Sequence, residues 1–415
     1  MTPSRGARRR RLVIASGFAI ATMGALVILI GSGSSGYARA AAGKATAAQY
    51  QYGSGNPRPG TAAKLTSYRL PDGIWQPSAV ALEPGVAASS KGNGAAWVGD
   101  ANGALVRVDL RTGAQTLYRD DTWQLYDIQA LALGHDGRVW FVAGGRLGAL
   151  DPRTAEATLW DGVPWTRAFT VADNGQVWLP AFSDVGDALG SFDPKQGVLT
   201  RYDAPTVGGA YTVGAQNDGE VWWCSPWGGL GRLDTKTGAS TSYASPLNWS
   251  TPACALSSDA VWVATDSGAF GRLDPRSGQM SLYYRDSYYN VGGLASCRGS
   301  IAFTEQSTDQ LGLLDPSAAT PNVVEMDQTH ATAMTVTKTT LPASKLQLTR
   351  TELQGPVTTQ LVDPHGDDGF RFFGVASTDW RWPIGAVAVA KDSELAFVDH
   401  GGIGLLELPP TSHCG

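Results

Sequence analysis

From residue 65 onward the chain alternates short apolar runs with turn residues, and the stretch 219–243 holds the pattern in one piece. It reads Gly-Glu-Val-Trp-Trp-Cys, a glycine-rich link, Gly-Leu-Gly-Arg-Leu-Asp-Thr-Lys-Thr-Gly, then Ser-Thr-Ser-Tyr. The run 221–224 is too short for a helix and is bounded by turn residues, so it predicts a strand. Leu230 and Leu233 flank Arg232 in a second strand, followed by a turn at 234–238 whose glycine accepts positive φ. Ala210-Tyr211-Thr212-Val213, ahead of the turn Asn217-Asp218-Gly219, supplies another strand. One such four-stranded antiparallel unit cannot bury both of its faces, so several must stack.

The unit recurs. The aspartate closing the Leu-Asp strand returns as Asp109, Asp151, Asp193, Asp234, Asp274 and Asp315, at spacings of 42, 42, 41, 40 and 41 residues. The tryptophan strand returns at Trp97, Trp140, Trp178, Trp222 and Trp262, then with Ala302 and Ala396 in its place. Four strands every 40 to 45 residues is the signature of a β-propeller. Units are expected over residues 76–118, 123–160, 165–202, 208–243, 249–284, 290–326 and 385–408. The segment 330–376 is less regular. Ala333-Met334-Thr335-Val336 matches the inner strands and Leu361-Val362-Asp363-Pro364 matches the corner, which makes it a divergent extra unit. The expectation is an all-β propeller of eight four-stranded blades, with seven blades and a long insertion as the alternative. The last unit stops at Pro409-Pro410 without an outer strand, while Leu65-Thr66-Ser67-Tyr68-Arg69-Leu70 is an outer strand without a unit. The second should complete the first and close the ring, removing its open edges.

Composition and charge narrow the picture. A net charge of −5 leaves no basic field for nucleic acid. Residues 1–43 read as a targeting segment: arginines at 8–11, nineteen mostly apolar residues at 12–30, and Ala38-Arg39-Ala40 as a small-residue cleavage site. The run suits either a cleaved signal peptide or a retained membrane anchor, and both place the rest outside the cytoplasm. Residues 44–63 form a linker, 64–410 the propeller and 411–415 a tail. Cys224, Cys254, Cys297 and Cys414 suit disulfides in an exported chain, and three pairings are open. A monomer is expected.

The repeats Gly-x-Val-Trp-Phe, Leu-Gly-x-Leu-Asp-Pro-x-Thr-Gly and Thr-x-Tyr resemble the virginiamycin B lyase (streptogramin lyase) propellers. Phe303-Thr304-Glu305 followed by Leu311-Gly312-Leu313-Leu314-Asp315-Pro316 is the nearest single match. The resemblance implies metal-assisted elimination on a macrocyclic lactone, with histidines and a glutamate presented between second and third strands and Mg2+ or another divalent ion as cofactor. In that family a histidine stands two positions after the glutamate; here Gln306 and Ser307 follow Glu305. Only Asp399-His400 sets an acid beside an imidazole at an equivalent position, so Glu305, Asp399 and His400 are the catalytic candidates. No metal site and no other cofactor are expected.

A second set of aromatic residues precedes the inner strands: Trp75, Trp123, Trp165 and Trp249, then Tyr288, Tyr289, Trp380 and Trp382. In a propeller the loops that lead into each blade share a face with the turns between second and third strands. Those turns contribute Asp100, Arg146, Trp227, Asp266, Glu305 and His400. Rigid rings among polar groups suit a sugar, a peptide or an aromatic compound, although the same rings could plug the channel. The function expected is therefore binding of a small molecule, glycan or envelope protein, with the lyase or a purely structural envelope role as alternatives. The tryptophans of the repeated strand are expected to pack between blades, and the repeated aspartates to cap the turns that follow them.

Overall fold

Runs such as Val-Trp-Phe-Val-Ala bury every side chain, which a strand can do only where both faces of its sheet are covered. The computed structural model describes residues 62–408 except 75, 84–93, 123, 165, 167, 182–187, 204–211, 216–218, 226–228, 245–252, 258, 266–268, 285–290, 298–299, 306–309, 333, 335, 367–368, 375–385, 391–393 and 400–401. These residues form seven antiparallel sheets. Blades 1 to 5 span residues 77–119, 128–160, 170–203, 212–244 and 253–284. Blade 6 joins 291–314 to Phe370–Gly374, and blade 7 joins 387–407 to the N-terminal strand Ala63–Arg69. The ring closes as the sequence predicts: Leu65 stands opposite Leu406 and Tyr68 opposite Ile403.

Seven apolar clusters lie one in each wedge between neighbouring blades, from blades 1 and 2 around to blades 7 and 1. Each repeated tryptophan is buried in the wedge toward the next blade and meets an aromatic ring of its own fourth strand. The pairs are Trp97–Tyr118, Trp140–Trp160, Trp178–Tyr202, Trp222–Tyr243 and Trp262–Tyr283, with centroids 5.4 to 5.9 Å apart. The repeated glycine of the third strand also has a steric cause. Gly148, Gly231, Gly312 and Gly404 stand opposite Phe141, Trp223, Phe303 and Phe397. A Cβ on any of them would lie 2.0 to 2.2 Å from the facing ring. Blade 1 fills the same space with Val98 opposite Val106.

The corner aspartates act as caps. Asp109, Asp151, Asp193, Asp234, Asp274 and Asp315 each accept from the backbone N–H two residues on, at 2.8 to 3.0 Å. The Cys224–Cys254 disulfide ties the second strand of blade 4 to the first strand of blade 5. Closing its thirty-residue loop is worth roughly 3–4 kcal/mol by chain entropy. The side chain of Cys297 and all of Cys414 lie outside the described residues.

The blade count corrects the eight four-stranded blades expected. The segment 330–376 is no blade. Between Leu314 and Phe370 the chain leaves blade 6 and lays one strand on the outer edge of each other blade in turn. Asn322–Glu325 pairs with blade 5, Asp327–Ala331 with blade 4 and Val336–Thr340 with blade 3. Ala343–Gln347 follows on blade 2, Thr349–Gln354 on blade 1 and Val357–Val362 on the N-terminal strand in blade 7. Six blades therefore have five strands and blade 6 has four, with a single bridge from His365 to Phe372 on its outer edge. Twist of about 20–25° per strand turns a fifth strand by roughly a right angle from the first. Successive outer strands can then run end to end around the rim.

This belt keeps its own step. Met326, Met334, Leu341, Leu348 and Val362 each enter a different wedge between blades. Gly355 occupies the equivalent position between blades 1 and 7, where a Cβ would meet the Gln115 side chain and the Arg69 carbonyl. From Met326 to Val362 these six positions are eight and then always seven residues apart. The backbone N–H groups of Met326, Leu341, Leu348 and Gly355 donate to the carbonyls of Gly278, Gly197, Ala155 and Gly113, the left-handed corner residues of blades 5, 3, 2 and 1. One blade of about forty residues thus corresponds to one seven-residue step of belt.

Candidate functional site

The second strand of every blade ends at the same level, and the residues there are Asp100, Ala143, Ala181, Ser225, Thr265, Glu305 and Asp399 in blades 1 to 7. Their acids fall on three consecutive blades, 6, 7 and 1. Asp100 and Glu305 are 0% and 1% exposed, and Asp399 is half-buried. Among the described residues no three acidic, histidine or cysteine side chains converge to hold a metal ion. His400 lies outside the described residues.

Asp100 is a structural organiser of this rim. Its Oδ1 accepts from the Gln76 N–H at 2.7 Å and its Oδ2 from the Asn102 N–H at 3.0 Å. The Gly103 N–H donates to its carbonyl, and a Cβ on Gly103, at φ 81°, would strike the Leu125 carbonyl. Leu125 belongs to the loop leading into blade 2, and Asp127 of that loop donates its N–H to the Ala101 carbonyl at 2.6 Å. The two loop families therefore meet on one face, as the sequence predicts, at the junction of blades 1 and 2.

That lead-in loop is pinned by a buried carboxylate. Asp120 Oδ1 accepts from the Thr122 N–H at 2.9 Å and the Thr122 hydroxyl at 2.5 Å, and Oδ2 accepts from the Leu125 N–H at 2.7 Å. Burial alone would raise its pKa, but these donors outweigh it and hold the carboxyl below the usual aspartate value. The bonds fix the residues on either side of position 123. Leu125 is buried in the wedge between blades 1 and 2, whereas Tyr126 is 53% exposed. The Tyr126 ring lies against Gly144, where a Cβ would sit 2.5 Å from it. Gly144 and Gly145 turn the chain at φ 55° and 77° into Arg146, which is half-buried. Tyr126 was not among the sequence candidates. The signal was present, since Leu125 and Tyr126 continue the lead-in loop that Trp123 marks.

The remaining lead-in loops are described only at their edges. Trp75, Trp123, Trp165, Trp249, Tyr288, Tyr289, Trp380 and Trp382 lie outside the described residues, as do Trp227 and Asp266. Next to them, Ile74 is buried between blades 7 and 1, and the buried Thr166 hydroxyl donates to the Ala168 carbonyl at 2.7 Å. Bulges at the start of the first strands of blades 1, 2 and 6 mark the same face. At the first of them the Ser78 hydroxyl donates to the Ile128 carbonyl of the neighbouring blade.

The fold is that of the virginiamycin B lyases. A streptogramin B lyase superposes with a TM-score of 0.59 at 17% identity, covering 83% of this chain and 98% of that one. Virginiamycin B lyase from Staphylococcus aureus gives 0.60 at 15%, covering 83% and 99%. A catalytically inactive histidine-to-alanine form of the Staphylococcus aureus enzyme, with quinupristin, gives 0.60 at 14% over the same shares. The extracellular domain of BT4673 from B. thetaiotaomicron gives 0.50 at 13%, covering 82% of this chain and 42% of that one. At such identities the likeness establishes the β-propeller fold. No family model and no curated protein matches the chain.

Proposed function

We propose that this chain is an extracytoplasmic β-propeller that binds a small molecule, glycan or envelope protein on the face formed by its lead-in loops and second-to-third-strand turns. The observation that carries this reading is the junction of blades 1 and 2. There an exposed ring, Tyr126, rests on the Gly144-Gly145 turn beside Arg146, on a loop fixed by Asp120. An exposed aromatic ring held on a fixed loop is suited to stacking on a sugar or aromatic group, and the arginine that follows the Gly144-Gly145 turn supplies a cation on the same rim. The disulfide supports an oxidising compartment, and the apolar segment 12–30 supports export. Whether that segment is cut determines whether the propeller is released or held at the membrane.

A thermal-shift and calorimetric screen of the protein against cell-wall glycans, peptides and aromatic antibiotics tests the reading. A ligand found in this way should lose at least tenfold in affinity with Tyr126→Ala or Trp123→Ala while the melting temperature stays within about 2 °C. Unchanged affinity in both variants would move the site elsewhere.

Lyase activity is the second reading, favoured by the likeness to the Staphylococcus aureus enzyme. Glu305, Asp399 and His400 would serve it with a divalent ion. Against it stands Glu305 being followed by Gln306 and Ser307, where the resemblance calls for a histidine. Incubation with quinupristin, with and without Mg2+, decides it: ring opening that depends on Glu305 and His400 would establish the lyase.

A further inference from the structure

The belt begins and ends at one point. Leu314 and Phe370 are direct register partners, and the Asp315 N–H donates to the Gly369 carbonyl at 2.8 Å. Residues 315–369 are therefore an enlarged connection between two strands of blade 6, in the position where blade 4 needs only residues 234–239. The connection encircles the other six blades and returns.

Its course crosses the joint of the ring where the chain's first strand meets its last, which pairing alone and no covalent connection secures. The closing strand Ala63–Arg69 is held to blade 7 by pairing with Gly402–Glu407. Left there it would be an edge strand, the part of a sheet most prone to fraying. Instead Val357–Val362 covers its other edge, with Leu65 opposite Gln360 and Thr66 opposite Thr359. On one side this belt strand continues through Gly355 and Pro356 to blade 1, where Gly355 donates to Gly113 and Pro356 accepts from the Arg69 N–H. On the other side Val362 enters the wedge between blades 6 and 7, and His365 exchanges two backbone hydrogen bonds with Phe372 of blade 6. To peel the closing strand from blade 7, the belt must release it or tear away from blade 6.

The belt adds little core of its own. Thr349–Gln354 is exposed at every position and Val336–Thr340 likewise, so it is held mainly by edge pairing, by one or two apolar residues in each wedge and by surface bonds such as Lys345 to Glu156. We propose that residues 315–369 form a clasp that holds the propeller shut at its closing strand, separable from the seven blades it surrounds. Pairing spread around the rim would stabilise all outer strands alike, whereas a clasp acts where it bridges the joint.

Two versions of the full chain test this, each with a site-specific protease sequence inserted into the belt and cut after folding. One cut lies in residues 366–369, between the closing strand and blade 6. The other lies in residues 332–335, between blades 4 and 3. The first cut should raise amide hydrogen exchange in Ala63–Arg69 at least tenfold relative to the same protein uncut, and the second by less than threefold. Equal effects of the two cuts, or no effect of the first, would overturn the clasp. Replacing 315–369 with Asp-Thr-Lys-Thr-Gly-Ala, the blade 4 connection 234–239, provides a second readout. This chain should fold with a β-sheet circular dichroism spectrum and show the same faster exchange at its closing strand. A chain that fails to fold would show that the belt is not separable, and that half of the proposal would fall.

Discussion

Blade 6 and the belt that springs from it are both made of short antiparallel strands, yet they obey opposite rules. In Ser300–Glu305 all six side chains are buried, because neighbouring blades cover both faces. In Thr349–Gln354 all six are exposed, because the strand lies outside the last covered layer. A buried strand is specified at every position. An outer strand is specified by its hydrogen-bonding edge and by the one or two apolar residues it sends into a wedge, so its sequence is otherwise free to be polar.

Substitutions can break this contrast. Phe303→Ala should lower unfolding free energy by about 3–5 kcal/mol, the cost of emptying a fully buried ring site. Leu348→Ala should cost about 2–5 kcal/mol although it sits in the belt, because its side chain belongs to the wedge between blades 1 and 2. A cost below 1 kcal/mol there would mean that the wedge residues do not anchor the belt. Gly312→Ala should cost about 1–3 kcal/mol through collision with Phe303. Gly312→Val should cost at least as much, and adding Phe303→Val, which copies the Val98–Val106 pair of blade 1, should recover part of that loss. Denaturant midpoints at unchanged slope report all of these.

The smaller effects sharpen the comparison. Asp120→Asn should cost about 1–3 kcal/mol at neutral pH, since three donors lose a charged acceptor. Because folding lowers the Asp120 pKa, its contribution is complete above the ordinary value of 3.8 and fades as the pH falls below it. The gap between variant and parent should therefore close in acid, and a gap that widened there would contradict the assignment. Thr351→Ala, on the exposed belt, should stay within about 0.5 kcal/mol.

The same contrast explains what was legible in the chain. The ring, its closing strand, the tryptophan wedges and the aspartate caps were legible because each recurs every forty-odd residues with a bulky or charged marker. The belt was not. Its step of seven residues is marked by Met334, Leu341, Leu348 and their equivalents, with no tryptophan and no corner aspartate. Ala333-Met334-Thr335-Val336 resembles an inner strand because a wedge residue between a small residue and a β-branched pair has the composition of one. Of the candidate site, the meeting of two loop families and the place of Asp100 follow from topology. Tyr126 does not, because its exposure depends on Leu125 taking the buried position beside it and on Gly144 leaving room for the ring.

The seven-residue step gives the belt the role of a gauge. At about 3.3 Å per residue, each step spans roughly 23 Å of rim. A propeller that gained a blade by duplicating one repeat would leave this hoop one step too short to meet itself at Asp315 and Gly369. Growth of the ring and growth of the hoop would have to occur together, in two separate parts of the chain. The hoop is thus matched to the number of blades it surrounds, and neither can change length without the other.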